Sequence, residues 1–433
     1  MVGFFTRRLL RDRSGNVTII FALSLLPIVF LIGMGMDFTA ASQKRALLNA
    51  AADAAALAAV TPSMMNQSAA NAQAAAQNIF NAEASGLPGL LYTNPTVTVT
   101  QSGLTRSVAV SYAANAVNSF PGILGATTWP ISGSSTATAT TSPSIDFYLL
   151  LDNSPSMNIA ATTAGINTMV AATSAQGGCA FACHETNPAA DNLGNPGGVD
   201  NYTLAAELGV VTRVQNMAAA TQQLTTTAQT TEENSNSTYR MAIYTFAQSG
   251  TQTIQTLTSN LSSAGTAAAN INVLEVCSNN YLTCGTSNND TDTNFETAMS
   301  DINTVMPNPG TGTAGGTPKE TLFLVTDGVD DEISGTCSQA LDGTRCQQPF
   351  NTAWCTTVKN RGIQIAVLYT EYLPLPTNSW YNEWIAPFQS QIGTNLESCA
   401  SPGLYFQVTT DGDISAAMQA LFQQAISSAR LSQ

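Results

Sequence analysis

Charge is what this sequence has least of. Only 10% of its 433 residues are Asp, Glu, Lys or Arg, against about 25% in an ordinary soluble domain. Lysine occurs three times, as Lys44, Lys319 and Lys359, and histidine once, as His184. No cysteine precedes Cys179. Each scarcity excludes something. Nucleic-acid binding needs a basic surface that displaces counterions, and no basic cluster follows Arg13. A single histidine rules out a histidine-rich metal centre and any mechanism needing two imidazoles. A disordered acidic chain is excluded by a 44% share of hydrophobic residues, which can bury a core.

The charge that is present is unevenly placed. Arg7, Arg8, Arg11 and Arg13 face only Asp12, whereas from Asp37 onward 10 basic residues oppose 27 acidic ones. The chain as a whole carries −14 and this later part −17. Between the two lie residues 17–36, which are uncharged. At about 1.5 Å per residue they match a hydrocarbon core of about 30 Å. The stretch exceeds the apolar region of a cleaved signal peptide and no A-x-A site directly follows it. A retained membrane anchor is therefore expected, with residues 1–16 a basic cytoplasmic tip and the remainder exported.

Residues 37–141 are expected to form an Ala-rich helix and a small β-containing module. Alanine favours helix, and residues 39–60 contain no Gly or Pro. Small side chains permit close packing against another helix, hence a helix-mediated oligomer; a stalk without a partner stays equally open. Residues 96–100, 107–112 and 136–141 carry the strand signals, the first two by period-2 alternation.

Residues 144–430 read as α/β. Apolar runs at 145–151, 239–247, 321–326, 363–369 and 404–409 suit strands buried on both faces. Helical stretches at 202–231, 295–304, 347–361 and 414–429 alternate with them, which predicts a doubly wound, Rossmann-like sheet. The polar segments 174–200 and 278–292 are expected as surface insertions.

The first run ends in D-x-S-x-S: Asp152, Ser154, Ser156. Another ends in T-D-G, with Asp327, and Thr293 opens a helical stretch between them. Ligands of open α/β sheets bind beyond the carboxyl ends of strands. Two carboxylates and three hydroxyls are hard oxygen donors suited to Mg²⁺ or Mn²⁺, with Ca²⁺ the larger alternative. The bland reading is that Ser154 and Ser156 cap a helix. Thr291 competes with Thr293 as the threonine ligand.

This constellation closely resembles the metal-ion-dependent adhesion site of von Willebrand factor type A domains. The resemblance implies that Asp152, Ser154, Ser156, Thr293 and Asp327 surround one divalent cation, with the aspartates acting through water. It implies a protein partner that offers the cation a carboxylate. The N-terminal block, RRLLRDRSGNVTIIFALSLLPIVFLIGMGMDF and its Ala-rich continuation, resembles TadG-like proteins of tight-adherence (Flp) pilus assembly in bacteria. That resemblance implies a non-enzymatic, single-pass inner-membrane protein, its C-terminal domain in the periplasm or envelope, meeting pilus or envelope components. A metal-dependent hydrolase or chaperone is the rival reading, and a structural stalk with an empty metal site the third. No base accompanies Ser154 or Ser156 to support hydrolysis.

Other signals are discounted. Asp290, Asp292, Asn294, Glu296 and Asp301 imitate a calcium loop but place Phe295 where glycine is required. Gly310, Gly312 and Gly315 spell G-x-G-x-x-G, yet lead into a strand rather than a helix. Cys179, Cys183 and His184 fit a small disulfide loop better than a haem or soft-metal site. The eight cysteines, all beyond the anchor, fit an oxidising compartment. Spacing suggests pairs 179–183, 277–284, 337–346 and 355–399. Asp330, Asp331 and Glu332 are expected in a solvated loop.

Overall fold

The computed structural model describes residues 15–121, 125–189, 198–277, 292–313, 317–333, 340–342, 345–372, 374–375, 378–409 and 411–431. They divide into two compact units, one ending at Thr141 and one starting at Ser142.

The first unit is built on one helix, α1 (Gly15–Ala58), which runs through Pro27 without a break in its assignment. From Val17 to Phe38 its large apolar side chains are exposed, and the helix is long and apolar enough to cross a membrane. Its second half changes character. Leu48, Ala51, Ala52, Ala55 and Ala56, with Ala59 just past its end, are buried in a core shared with α2 (Ala69–Ser85) and a four-stranded antiparallel sheet. The sheet comprises β1 (Leu90–Tyr92), β2 (Thr96–Ser102), β3 (Thr105–Val117) and β4 (Thr128–Thr140). β3 is central and alternates buried with exposed residues, as a half-buried strand should. Pro130 is accommodated because β4 is an edge strand. The alanine face of α1 thus has its partner within the chain. Gly133 lets α1 approach, since a Cβ there would stand 2.3 Å from the Asn49 amide oxygen.

The second unit is a six-stranded sheet in the order β13-β12-β8-β5-β6-β7. Its strands are β5 (Ser144–Asp152), β6 (Thr238–Ala247), β7 (Gly250–Thr258), β8 (Lys319–Thr326), β12 (Gln364–Thr370) and β13 (Tyr405–Val408). All pairings are parallel except β6 with β7. The five apolar runs are five of these strands. β7 went unpredicted because TQTIQT is polar and lies on an edge.

Helices cover both faces. Ile145, Phe147, Leu149 and Leu151 of β5 pack with α4 (Arg213–Ser235), α5 (Leu261–Ala268) and α9 (Ile414–Leu431). Tyr148 and Leu150 face the other side, with α6 (Phe295–Val305), α7 (Ala353–Asn360) and α8 (Gln389–Cys399). A further helix, α3 (Thr163–Ala172), follows the β5 turn. The expected helix at 202–231 is two, Asn201–Glu207 and α4, interrupted where Gly209 adopts φ +68°. The expected helix at 347–361 starts at Ala353, because the preceding residues form β11 (Arg345–Pro349).

Two expectations of solvent-exposed segments fail. Asp330, Asp331 and Glu332 are not in a solvated loop. They lie in β9 (Val329–Ile333), buried, and paired with β11, which also pairs with β10 (Ala340–Asp342). Arg345 on β11 reaches Asp331 through Nε at 2.8 Å and Nη2 at 2.6 Å, which makes the burial tolerable. Nor is the described part of 174–200 a plain surface insertion, since Ala180 and Ala182 are buried.

Cys355 and Cys399 form the expected disulfide, tying α7 to α8. Cys277 and Cys346 are also disulfide-bonded; their expected partners, Cys284 and Cys337, lie outside the described residues, as do Thr291, Asp290 and Gly315. Cys179 and Cys183 correct the expectation for that pair: both are thiols, hydrogen-bonded to each other.

Candidate metal centre

The chain leaves β5 and β6 on one side of the sheet, then returns to place β8 on the other side of β5. That reversal opens a crevice at the carboxyl ends of β5 and β8. Asp152 is the last residue of β5, and Asp327 directly follows β8. Gly328 then turns the chain at φ +76°, packed so closely on α8 that a Cβ would sit 2.4 Å from Ile392.

Asp152 is fully buried. Its Oδ1 accepts from the Ser154 N–H at 2.9 Å and its Oδ2 from the Thr326 hydroxyl at 2.7 Å. Thr326 in turn accepts from the Gly328 N–H at 2.9 Å, so one hydroxyl fixes both strand ends. Pro155 starts a 3-10 turn after Ser154, and the Ser154 and Ser156 hydroxyls lie 3.0 Å apart. They bond to each other and not to a helix N-terminus; no side-chain cap is made at Ser154.

Asp327 is also fully buried. Its Oδ1 accepts from the Val329 N–H at 3.3 Å, while Oδ2 has no hydrogen-bond partner. An unsatisfied buried carboxylate oxygen is costly, by about 1–3 kcal/mol or more. Burial raises the pKa of both acids. Asp152 is pushed up to about 7, by burial and then by the Asp327 carboxylate. Asp327 is raised by burial, although the Ser156 hydroxyl and the Arg213 guanidinium oppose the shift. The pair therefore resists holding two negative charges by itself.

Thr293 is buried, its backbone bridged to Asp331 by N–H donations of 3.1 and 2.9 Å. Asn294 caps α6 after it, accepting from the Thr297 N–H at 2.9 Å. Thr293 and Ser156 line the same cavity, of about 260 Å³, with Cys179, Cys183, Arg345 and Trp380. The structure thus joins Asp152, Ser154, Ser156 and Asp327 in one crevice and brings Thr293 to a cavity that Ser156 lines. Among the described residues no cluster of three or more His, Cys, Asp or Glu is arranged to hold a metal; this set has two carboxylates, its remaining donors being neutral hydroxyls. The donor chemistry and the orphaned Oδ2 of Asp327 fit a hard divalent cation.

Two contributors were not anticipated. Thr326 was visible as the first letter of T-D-G. Arg213, 4% exposed, carried no local signal beyond opening a helix. His184 serves elsewhere: its Nδ1 is 2.8 Å from Asp200 Oδ2 and its ring stacks on Tyr202. The calcium-loop imitation dissolves likewise, because Asn294 is a cap and Asp301 accepts from the Thr251 N–H at 3.1 Å.

Fold and crevice define a mixed α/β protein with an apolar N-terminal helix and a doubly wound sheet open at its switch point. Within it, residues 15–76 match the family model described as putative Flp pilus-assembly TadE/G-like. No curated protein matches the chain. Among solved structures, it is similar to the vWF domain of the type V pili tip protein Mfa5 from Porphyromonas gingivalis. The identity is 10% and the TM-score 0.38, over 66% of this chain and 96% of that one. It is also similar to the pilus adhesin SpaC from Lactobacillus rhamnosus GG, at 11% identity and TM-score 0.35, over 80% of this chain and 35% of that one. At such distances the fold assignment rests on the strand order itself.

Proposed function

We propose that this chain is a non-enzymatic envelope component of a bacterial tight-adherence pilus system. On this reading α1 anchors it in the inner membrane with its N-terminus cytoplasmic. The exported α/β domain binds a protein partner through a divalent cation held by Asp152, Ser154, Ser156, Thr293 and Asp327. The family match over residues 15–76 supports the pilus setting. The observation that carries the binding reading is the buried, unbonded Oδ2 of Asp327 beside Asp152 and the two serine hydroxyls. When bound, a divalent ion supplies charge that offsets both carboxylates and keeps a position for a partner's carboxylate. The residues themselves orient: Thr326 fixes Asp152, and Gly328 fixes the exit of Asp327. Against hydrolysis, the serine hydroxyls bond each other and not His184.

The test has two arms. Mg²⁺ should raise the melting temperature of the detergent-solubilised chain, EDTA should reverse this, and Asp152→Ala should show no response. Cells producing only Asp152→Ala should lose pili or attachment as completely as a deletion. A wild-type chain indifferent to Mg²⁺ and EDTA would leave a structural stalk; normal piliation with Asp152→Ala would reject the cation's role.

A further inference from the structure

The second unit forms disulfides at Cys355–Cys399, at Cys277 and at Cys346. Cys179 and Cys183 stand apart as adjacent thiols. Both line the cavity beside Ser156 and Thr293, and both are partly exposed. Their segment is fastened at several points. Phe181 bridges Ile159, and the Ala182 N–H donates to the Asn158 carbonyl at 3.0 Å. The Cys179 N–H donates to the Thr173 hydroxyl at 2.7 Å, and the Cys183 carbonyl accepts from the Tyr202 N–H at 3.0 Å. These bonds hold the segment so that the two thiols stay within hydrogen-bonding reach of each other.

We propose that Cys179 and Cys183 are a reversible dithiol–disulfide site, with Cys179 the attacking sulfur and Cys183 the resolving one, acting on disulfides that enter this cavity. The assignment of roles has a geometric and an acid–base basis. The Cys183 thiol hydrogen-bonds to the Cys179 sulfur, which pulls Cys179 down to about 7, while the same bond and burial push Cys183 well above the ordinary thiol range. Only the thiolate attacks.

The exchange balances in two steps. The Cys179 thiolate attacks one sulfur of a small disulfide, forming a mixed disulfide and expelling one thiolate. Cys183 then loses its proton, to the expelled thiolate or to water, and attacks the Cys179 sulfur. The Cys179–Cys183 bond forms and the second thiolate leaves. Two electrons pass from the cysteine pair to the disulfide reagent, which ends as one thiol, carrying the Cys183 proton, and one thiolate that takes its proton from water. The proposal is independent of the cation, because neither cysteine is among the proposed ligands.

The full chain in detergent is equilibrated in buffers of varied reduced-to-oxidised glutathione ratio, alkylated and mapped by mass spectrometry. Cys179 and Cys183 should be alkylated at the reducing end and joined at the oxidising end, while Cys355–Cys399 stays joined throughout. With oxidised glutathione, Cys183→Ser should trap glutathione on Cys179. Cys179→Ser should trap it on Cys183 more slowly, because burial still opposes the Cys183 thiolate. A pair that is joined as permanently as Cys355–Cys399 overturns the proposal. So does a pair that never joins, or trapping that is faster on Cys183.

Discussion

Strands β5 and β8 carry a pair of buried acids at each end, and the two ends handle them differently. At the amino end, Asp146 of β5 lies in register with Glu320 of β8 and Arg240 of β6. Arg240 meets both oxygens of Asp146, at 2.7 and 2.5 Å. Burial and the Asp146 carboxylate push Glu320 up to about 8, so that it keeps a proton. At the carboxyl end, Asp152 and Asp327 meet hydroxyls and backbone N–H groups. Arg213 opposes the rise at Asp327 without cancelling it. A buried acid pair needs a cation, a proton or both. The chain supplies them at the amino end and supplies neutral oxygen donors at the other. On the proposed function, the difference says where an external cation would belong: at the end whose own residues do not neutralise the pair.

The largest expected effect tests the self-sufficient end. Arg240→Met removes the partner of Asp146 and should cost about 3 kcal/mol, the low end for breaking a buried pair, because the Arg240 side chain is 40% exposed. Urea denaturation of the full chain measures this, and Mg²⁺ should not restore it. A loss that Mg²⁺ reverses would mean that the amino end also takes the ion.

The next effect tests the other end. Mg²⁺ at a hundredfold over its dissociation constant should stabilise the wild type by about 2.7 kcal/mol. Asp327→Asn should abolish that gain. In EDTA the same substitution should leave the chain at least as stable as wild type, because it removes one of two repelling buried charges. If Asp327→Asn instead destabilises the EDTA form as Arg240→Met does, the two ends are alike and the contrast fails.

The carboxyl end was the more legible of the two in the sequence. D-x-S-x-S and T-D-G stand out because polar residues abruptly end apolar runs, and those runs mark β5 and β8. The amino-end ion pair has no such marker. Asp146 and Arg240 are 94 residues apart and meet only through strand register. β9 was misread for a similar reason: an acidic run looks solvated until Arg345 and Gln348, from another strand, are seen to meet it. Cys179 and Cys183 looked like a local disulfide because spacing reports proximity and not bonding state. The long helix was legible throughout, but the use of its alanine face was not, since that depends on a sheet beginning some thirty residues further on.

The smallest expected effect separates the ends by pH. Glu320 has a folded pKa near 8, above the ordinary glutamate value. The folded chain therefore binds its proton more tightly than the unfolded chain does. The stability this contributes is fully present below the unfolded pKa and is lost as pH rises through the folded one. One fully differing proton gives a slope of about 1.4 kcal/mol per pH unit, and the quantity read here is how much of that slope Glu320 contributes between about pH 5 and 8. Glu320→Gln keeps the shape and removes the titration. Its urea midpoint should fall less than that of the wild type across this window, in EDTA as well as in Mg²⁺. An unchanged pH dependence would show that Glu320 is already ionised beside Asp146. Arg240 would then be neutralising two carboxylates, and the proton would have no part in the contrast between the ends.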